Sequence, residues 1–192
     1  MRKIILGLCC LLVLTACEKG QLKSENNYEN PTIAELPMAD ISGYRNLKAN
    51  PLVKKGSLRL VLDIYQEGGA MVFYVGMSSC VNCLEFFPVL LEVATEYNIP
   101  VVYVDARLEP HPETNPDYFE FLQVFSDFLD VDEEGNKDIF MPYTVFAKDG
   151  KVLAYYIGGA ENYDPIADGP MSEKQIKSVK KDLYKGFDKV GK

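Results

Sequence analysis

The chain has 192 residues, with 20 lysines and arginines against 28 aspartates and glutamates, and a formal net charge of −8. An apolar fraction of 47% over this length is enough for one domain with a real core. The acidic balance argues against binding nucleic acid and against polybasic adhesion to anionic lipid.

The first residues point to export. Met1-Arg2-Lys3 is a basic start, Ile4 to Val13 is an almost unbroken apolar run, and Leu14-Thr15-Ala16-Cys17 closes it with small residues before a cysteine. A run this short, with a charged front and a small-residue exit, reads as a cleaved signal over residues 1–16 rather than a membrane span. The stretch Leu14–Cys17 resembles a bacterial lipobox. That resemblance implies diacylation of Cys17, which becomes the new N-terminus, and attachment to the bilayer at the extracytoplasmic face of the cell membrane. Cys9 and Cys10 then leave with the signal, Cys17 is consumed by lipid, and only Cys80 and Cys83 remain as thiols. Loss of Arg2 and Lys3 makes the remainder still more acidic.

Residues 17–31 are polar and read as a flexible tether; residues 32–192 read as the folded domain. A short strand is expected near Gly43 to Leu47. Ser57 caps a helix over Leu58 to Gln66, which Gly68-Gly69 stops. Ala70 to Val75 reads as a strand buried on both faces. A second helix starts at the cysteine pair and runs to Asn98, with Cys83, Phe87, Leu90, Ala94 and Tyr97 on one side. Ile99 to Val104 is another buried strand. After a proline-rich loop, Asn115 caps a third helix with Pro116 at its first position, and Tyr118, Phe121, Leu122, Phe125, Phe128 and Leu129 form an apolar stripe that reads as core. Tyr143 to Ala147 and Val152 to Ile157 form a hairpin around Asp149-Gly150. Ser172 caps a last helix with Ile176, Val179, Leu183, Phe187 and Val190 facing inward. This order predicts an α/β fold of three layers, a mixed central sheet flanked by helices on both faces.

Cys80-Val81-Asn82-Cys83 falls where a buried strand hands over to a helix. A thiol at a helix N-terminus meets unpaired backbone N–H groups and the positive end of the dipole, which favours its thiolate. The second cysteine, one turn on, is close enough to form a disulfide. A pair so near in sequence closes a tiny loop and is a poor structural staple, so it asks for a chemical explanation.

Strand, C-x-x-C, helix and a later Met141-Pro142 opening a strand together resemble the thioredoxin superfamily over roughly residues 57–190. Pro88 matches the proline of the active-site helix, and Gly158 is a weaker match. The segment FYVGMSSCVNCLEFFPVLLEVA is similar to the small exported thioredoxin-like proteins known as bacteriocin-transport accessory proteins. The resemblance implies a thioredoxin-like fold with an extended helical insertion before a cis-proline at Pro142. It implies a redox-active Cys80–Cys83 disulfide, with Cys80 the exposed attacking thiolate and Cys83 the buried resolving thiol. Met141 would pair its backbone with an incoming peptide. The implied activity is thiol–disulfide exchange on cysteine-containing exported proteins or peptides, with a membrane redox partner for recycling and no cofactor.

Three positions depart from the family pattern. Tyr74 stands where thioredoxins place a buried acid, Tyr103 falls near a helper lysine, and Ser79 replaces the tryptophan before the first cysteine. Val81-Asn82 matches neither the reducing nor the strongly oxidising dipeptides, so redox direction stays open. Glu85 would oppose the Cys80 thiolate if it faced the sulfur. Two other readings compete: a non-enzymatic scaffold presenting the groove near Met141 to a secretion partner, and a copper or zinc metallochaperone using His111 with the two cysteines, which is one ligand short for structural zinc. Asp130 to Asn136 partly mimics a calcium loop, but Met141 occupies the twelfth place where a bidentate glutamate belongs, so it reads as a solvated acidic turn.

Overall fold

The computed structural model describes residues 29–45 and 47–191; the expected signal over residues 1–16, Cys17 and most of the expected tether lie outside the described residues. In chain order the elements are α1 (Pro31–Glu35), β1 (Val53–Lys55), α2 (Leu58–Gln66), β2 (Met71–Gly76), α3 (Val81–Tyr97), β3 (Val101–Asp105), α4 (Pro116–Val124), β4 (Asp130–Val131), β5 (Lys137–Asp138), β6 (Tyr143–Lys148), β7 (Lys151–Ile157) and α5 (Glu173–Val190). Five strands make one mixed sheet in the order β1-β3-β2-β6-β7. β3 is parallel to β1 and β2, whereas β6 is antiparallel to β2 and β7.

The alternation of side chains along the strands sorts the core into two layers. Val72 and Tyr74 of β2 point with Val101 and Tyr103 of β3 toward α3 and α5. Met71, Phe73 and Val75 point with Val102 and Val104 to the opposite face, where α2 and α4 pack with Ile33 of α1. Both β2 and β3 are buried throughout, which explains their continuous apolar runs.

Local chemistry sets the helix ends. The Ser57 side chain accepts the Leu60 N–H, and the chain leaves α2 through Gly68 at a φ of 79°. Asn115 accepts the Asp117 N–H at the start of α4, with Pro116 at its first position. Ser172 and Gln175 form a reciprocal capping box on α5.

Three expectations need correction. Residues 42–45 form turns, not a strand, with the Tyr44 N–H on the Ile41 carbonyl; the strand of this region is β1, eight residues further on, at the sheet edge beside β3. Asn30, read as tether, caps α1 and donates from Nδ2 to the Ala70 carbonyl at 2.8 Å, so it belongs to the folded unit. The third helix stops at Val124 instead of continuing to Leu129, because Ser126 and Asp127, weak helix formers, sit in a 3₁₀ turn that redirects the chain into the β4–β5 ribbon. Phe121, Phe125 and Leu129 are still buried. The acidic turn closes that ribbon: the Asp132 carboxylate accepts the Asn136 N–H at 2.7 Å, and Gly135 supplies a φ of 87°.

α5 seats on the sheet through a gap in its own side chains. A Cβ on Gly186 would stand 2.4 Å from Phe146 Cε2, and Phe146 is itself held by Phe187 in an edge-to-face contact. Gly186→Ala should therefore lower stability by about 1–3 kcal/mol through overpacking, outweighing the roughly 1 kcal/mol gain in helix propensity. Urea unfolding measures this; a more stable variant would mean that α5 does not lie on Phe146.

Candidate active site

The register of the sheet determines what meets the cysteines. Val75 pairs with Tyr143, so the end of β2 and the start of β6 lie side by side. Beyond β2 the chain turns through Met77–Ser79, with the Cys80 N–H on the Met77 carbonyl at 3.1 Å. Just before β6 the Met141–Pro142 peptide bond is cis. The Cys80 Sγ consequently lies 3.9 Å from the Met141 carbonyl oxygen.

Cys80 is the N-cap of α3. Its backbone is extended, with φ −84° and ψ 117°, and its sulfur accepts the Cys83 N–H at 3.2 Å. This is an orphan donor of the first helical turn, aimed at the sulfur. Cys80 is half-buried, while Cys83 is fully buried with Phe86, Phe87 and Leu90. The two sulfurs form a close pair on Cα atoms 5.1 Å apart, inside the span a disulfide bridges. Pro88 lies in the interior of α3, where it has no N–H to offer the Leu84 carbonyl.

The rim around the pair comes from distant segments. Gly158 donates its N–H to the Pro142 carbonyl at 2.8 Å, and a Cβ on Gly159 would stand 3.1 Å from Asn82 Oδ1. That oxygen is buried and has no hydrogen-bond partner among the described residues. Glu85 turns its carboxylate to the Met171 N–H at 3.2 Å, tying the first turn of α3 to the loop before α5. Gly43 packs at the loop before Cys80: a Cβ there would stand 2.5 Å from Ser78 Oγ.

Behind the pair sits a cluster of tyrosines. Tyr74 stacks on Phe87 with centroids 4.5 Å apart and an interplanar angle of 8°. Tyr44 brings its hydroxyl within 3.5 Å of the Tyr74 hydroxyl and 3.4 Å of the Tyr103 hydroxyl. Burial pushes all three phenols far above their ordinary range, so they are neutral and supply packing and hydroxyl contacts. Tyr44 carries no signal in the sequence, since its partners are 30 and 59 residues away. Nor does the approach of Gly159 to Asn82, which lie 77 residues apart in the chain.

His111 is exposed beside Glu113 in a 3₁₀ turn, and among the described residues no group of three or more histidine, cysteine, aspartate or glutamate side chains could hold a metal ion. No helix of the described residues is long and apolar enough to cross a membrane. No protein-family model matches the chain, and no curated protein matches its sequence.

At the end of β3, Asp105 is buried and chelated by Arg107 through Nε at 2.9 Å, Nη2 at 2.5 Å and the backbone N–H at 3.0 Å. Burial alone would raise this carboxyl, but the Arg107 contacts more than offset it and hold it below the usual carboxylate range. A depressed folded-state value means that the pair contributes fully above about pH 4, the unfolded value, and that this contribution is lost as pH falls through the lower folded-state value. Arg107→Ala removes the contribution, so the variant should be less stable than the wild type at neutral pH, with the gap narrowing as pH falls through the carboxylate range. The acid-unfolding midpoint, followed by circular dichroism, should move upward; an unchanged midpoint would contradict the role given to Arg107.

Proposed function

We propose that the protein is a membrane-anchored, extracytoplasmic thiol–disulfide oxidoreductase with a thioredoxin-like fold, acting through Cys80 and Cys83 on cysteines of exported proteins or peptides. The observation that carries this reading is the asymmetry of the pair. Cys80 opens a 17-residue helix with a backbone N–H on its sulfur and partial access to solvent, whereas Cys83 is buried one turn further on. The sheet order β1-β3-β2-β6-β7, with helices on both faces, agrees with the family resemblance.

In the reducing direction, the Cys80 thiolate attacks one sulfur of a client disulfide. A bond forms between Cys80 and that sulfur, the client's own S–S bond breaks, and its other sulfur leaves as a thiolate that takes up a proton. Cys83 then gives up its proton and attacks the Cys80 sulfur. The mixed disulfide breaks, the client leaves with two thiols, and the Cys80–Cys83 disulfide carries the oxidation. Run backwards, the same steps oxidise a client. A membrane redox partner restores the pair. Met141, whose carbonyl is 3.9 Å from the Cys80 sulfur, would pair its backbone with that of a bound client. Acylated Cys17 is the anchor, outside the described residues.

Only the second thiol can resolve the mixed disulfide quickly. Cys83→Ala should therefore accumulate covalent complexes with client proteins outside the cell, whereas Cys80→Ala should trap very few, as non-reducing gels and mass spectrometry would reveal. Equal trapping by both variants, or no trapping while the wild type remains functional, would sink the exchange mechanism in favour of a non-enzymatic scaffold. The anchor is tested separately. Cys17→Ser should leave the protein unprocessed or released from the membrane, and an unmodified Cys17 at the native mature N-terminus would refute lipidation.

A further inference from the structure

Next to the cysteine pair a cavity of about 460 Å³ opens on the α2–α4 side of the sheet. Its apolar wall includes Leu58, Val75, Met77, Ala106, Ile139 and Met141. Two of these also frame Cys80: the Met77 carbonyl receives the Cys80 N–H, and the Met141 carbonyl lies 3.9 Å from its sulfur. Cavity and sulfur thus share Met77 and Met141 as neighbours. Val81 and Phe140, which flank Cys80 and Met141 in the chain, are exposed at 45% and 39%. Large apolar side chains left in solvent around a concave apolar site mark a place where another chain lies down.

The polar groups of the cavity give it a sign. Glu109 and Asp138 line it, and His111 is its only basic side chain. Both carboxylates are fixed. Glu109 accepts the Leu58 N–H at 3.3 Å, while Asp138 accepts the Tyr118 hydroxyl and, at 2.6 Å, the Ile139 N–H. An acidic edge on a chain of net charge −8 repels acidic segments and suits basic ones.

We infer that this cavity selects the client: it receives a large apolar side chain lying close to the client's reactive cysteine, with a basic residue beside it facing Glu109 and Asp138. The inference rests on the exchange reading and adds the substrate class, an extended, basic, apolar-flanked cysteine segment.

Full-length Cys83→Ala protein tests it, using synthetic peptides that each carry one cysteine as a mixed disulfide with glutathione. The Cys80 thiolate attacks the peptide sulfur, the bond to glutathione breaks, and glutathione leaves as its thiolate, so the added peptide mass reports coupling. With Phe scanned over the positions around the cysteine and Arg beside it, the best peptide should couple about tenfold faster than its Ser-for-Phe counterpart. Replacing Arg by Glu should slow it. Ile139→Lys, which puts a charge in the wall, and Ala106→Phe, which fills the space, should each bring the Phe-to-Ser ratio toward one. Because the comparison is first made without any cavity substitution, a variant that fails to fold does not decide it. Equal rates for Phe and Ser peptides at every position, with glutathione disulfide still coupling at Cys80, would overturn the pocket and leave exchange standing. A ratio untouched by both cavity variants would also overturn it. Failure of Cys80 to couple with any peptide or with glutathione disulfide would remove the exchange reading and this inference together.

Discussion

In the register that sets Val75 opposite Tyr143, the end of β2 lies beside the start of β6, and the segments that flank them there, Met77–Cys80 after β2 and Met141–Pro142 before β6, come into contact. That register is enforced by burial on both faces of β2. A slip of one residue would exchange Tyr74 with Phe73 between two cores of different shape, one lined by α3 and α5 and the other by α2 and α4. The strand that carries the cysteines to their helix is therefore held by several of the largest fully buried side chains among the described residues. Tyr74 stacks on Phe87 below α3, and Phe73 meets Phe121, Phe125 and Tyr143 on the other side.

From this constraint the inequality of the two sulfurs follows. α3 starts as soon as the chain clears the sheet end, which leaves Cys80 at the cap and turns Cys83 inward among Phe86, Phe87 and Leu90. The helix contributes a free N–H and its positive end at one sulfur, and packing excludes water from the other. Glu85, the acid nearest the pair in sequence, is drawn away by the Met171 N–H, so the first turn of α3 is braced against the loop before α5. Chemistry and scaffold are joined at the same residues.

Much of this was legible along the chain because the signals are local. Ser57 and Gly68 bracket α2, Asp149-Gly150 marks the β6–β7 turn, and Ser172 with Gln175 starts α5. The cysteine motif announced itself by its place between a buried strand and an amphipathic helix. β1 did not, since three residues at a sheet edge are too few to display a period, and it is defined by pairing with Val101–Tyr103 nearly fifty residues away. Tyr44 was invisible for a related reason: its hydroxyl matters only once β2 and β3 bring Tyr74 and Tyr103 to it. The cavity beside the cysteines is assembled from the start of α2, the loop after β3, α4 and the stretch before β6, and no single window of sequence contains it.

On the proposed exchange reading the Cys80–Cys83 pair is a working redox couple and not a staple. Its reduction potential, measured by equilibrating the purified protein in thiol–disulfide buffers and counting free thiols by alkylation, separates the two. Reversible two-electron behaviour between about −120 and −270 mV, the range of exchange enzymes, is the predicted result. A potential below about −300 mV, where structural disulfides lie, or a pair that does not equilibrate with the buffer at all, would contradict it.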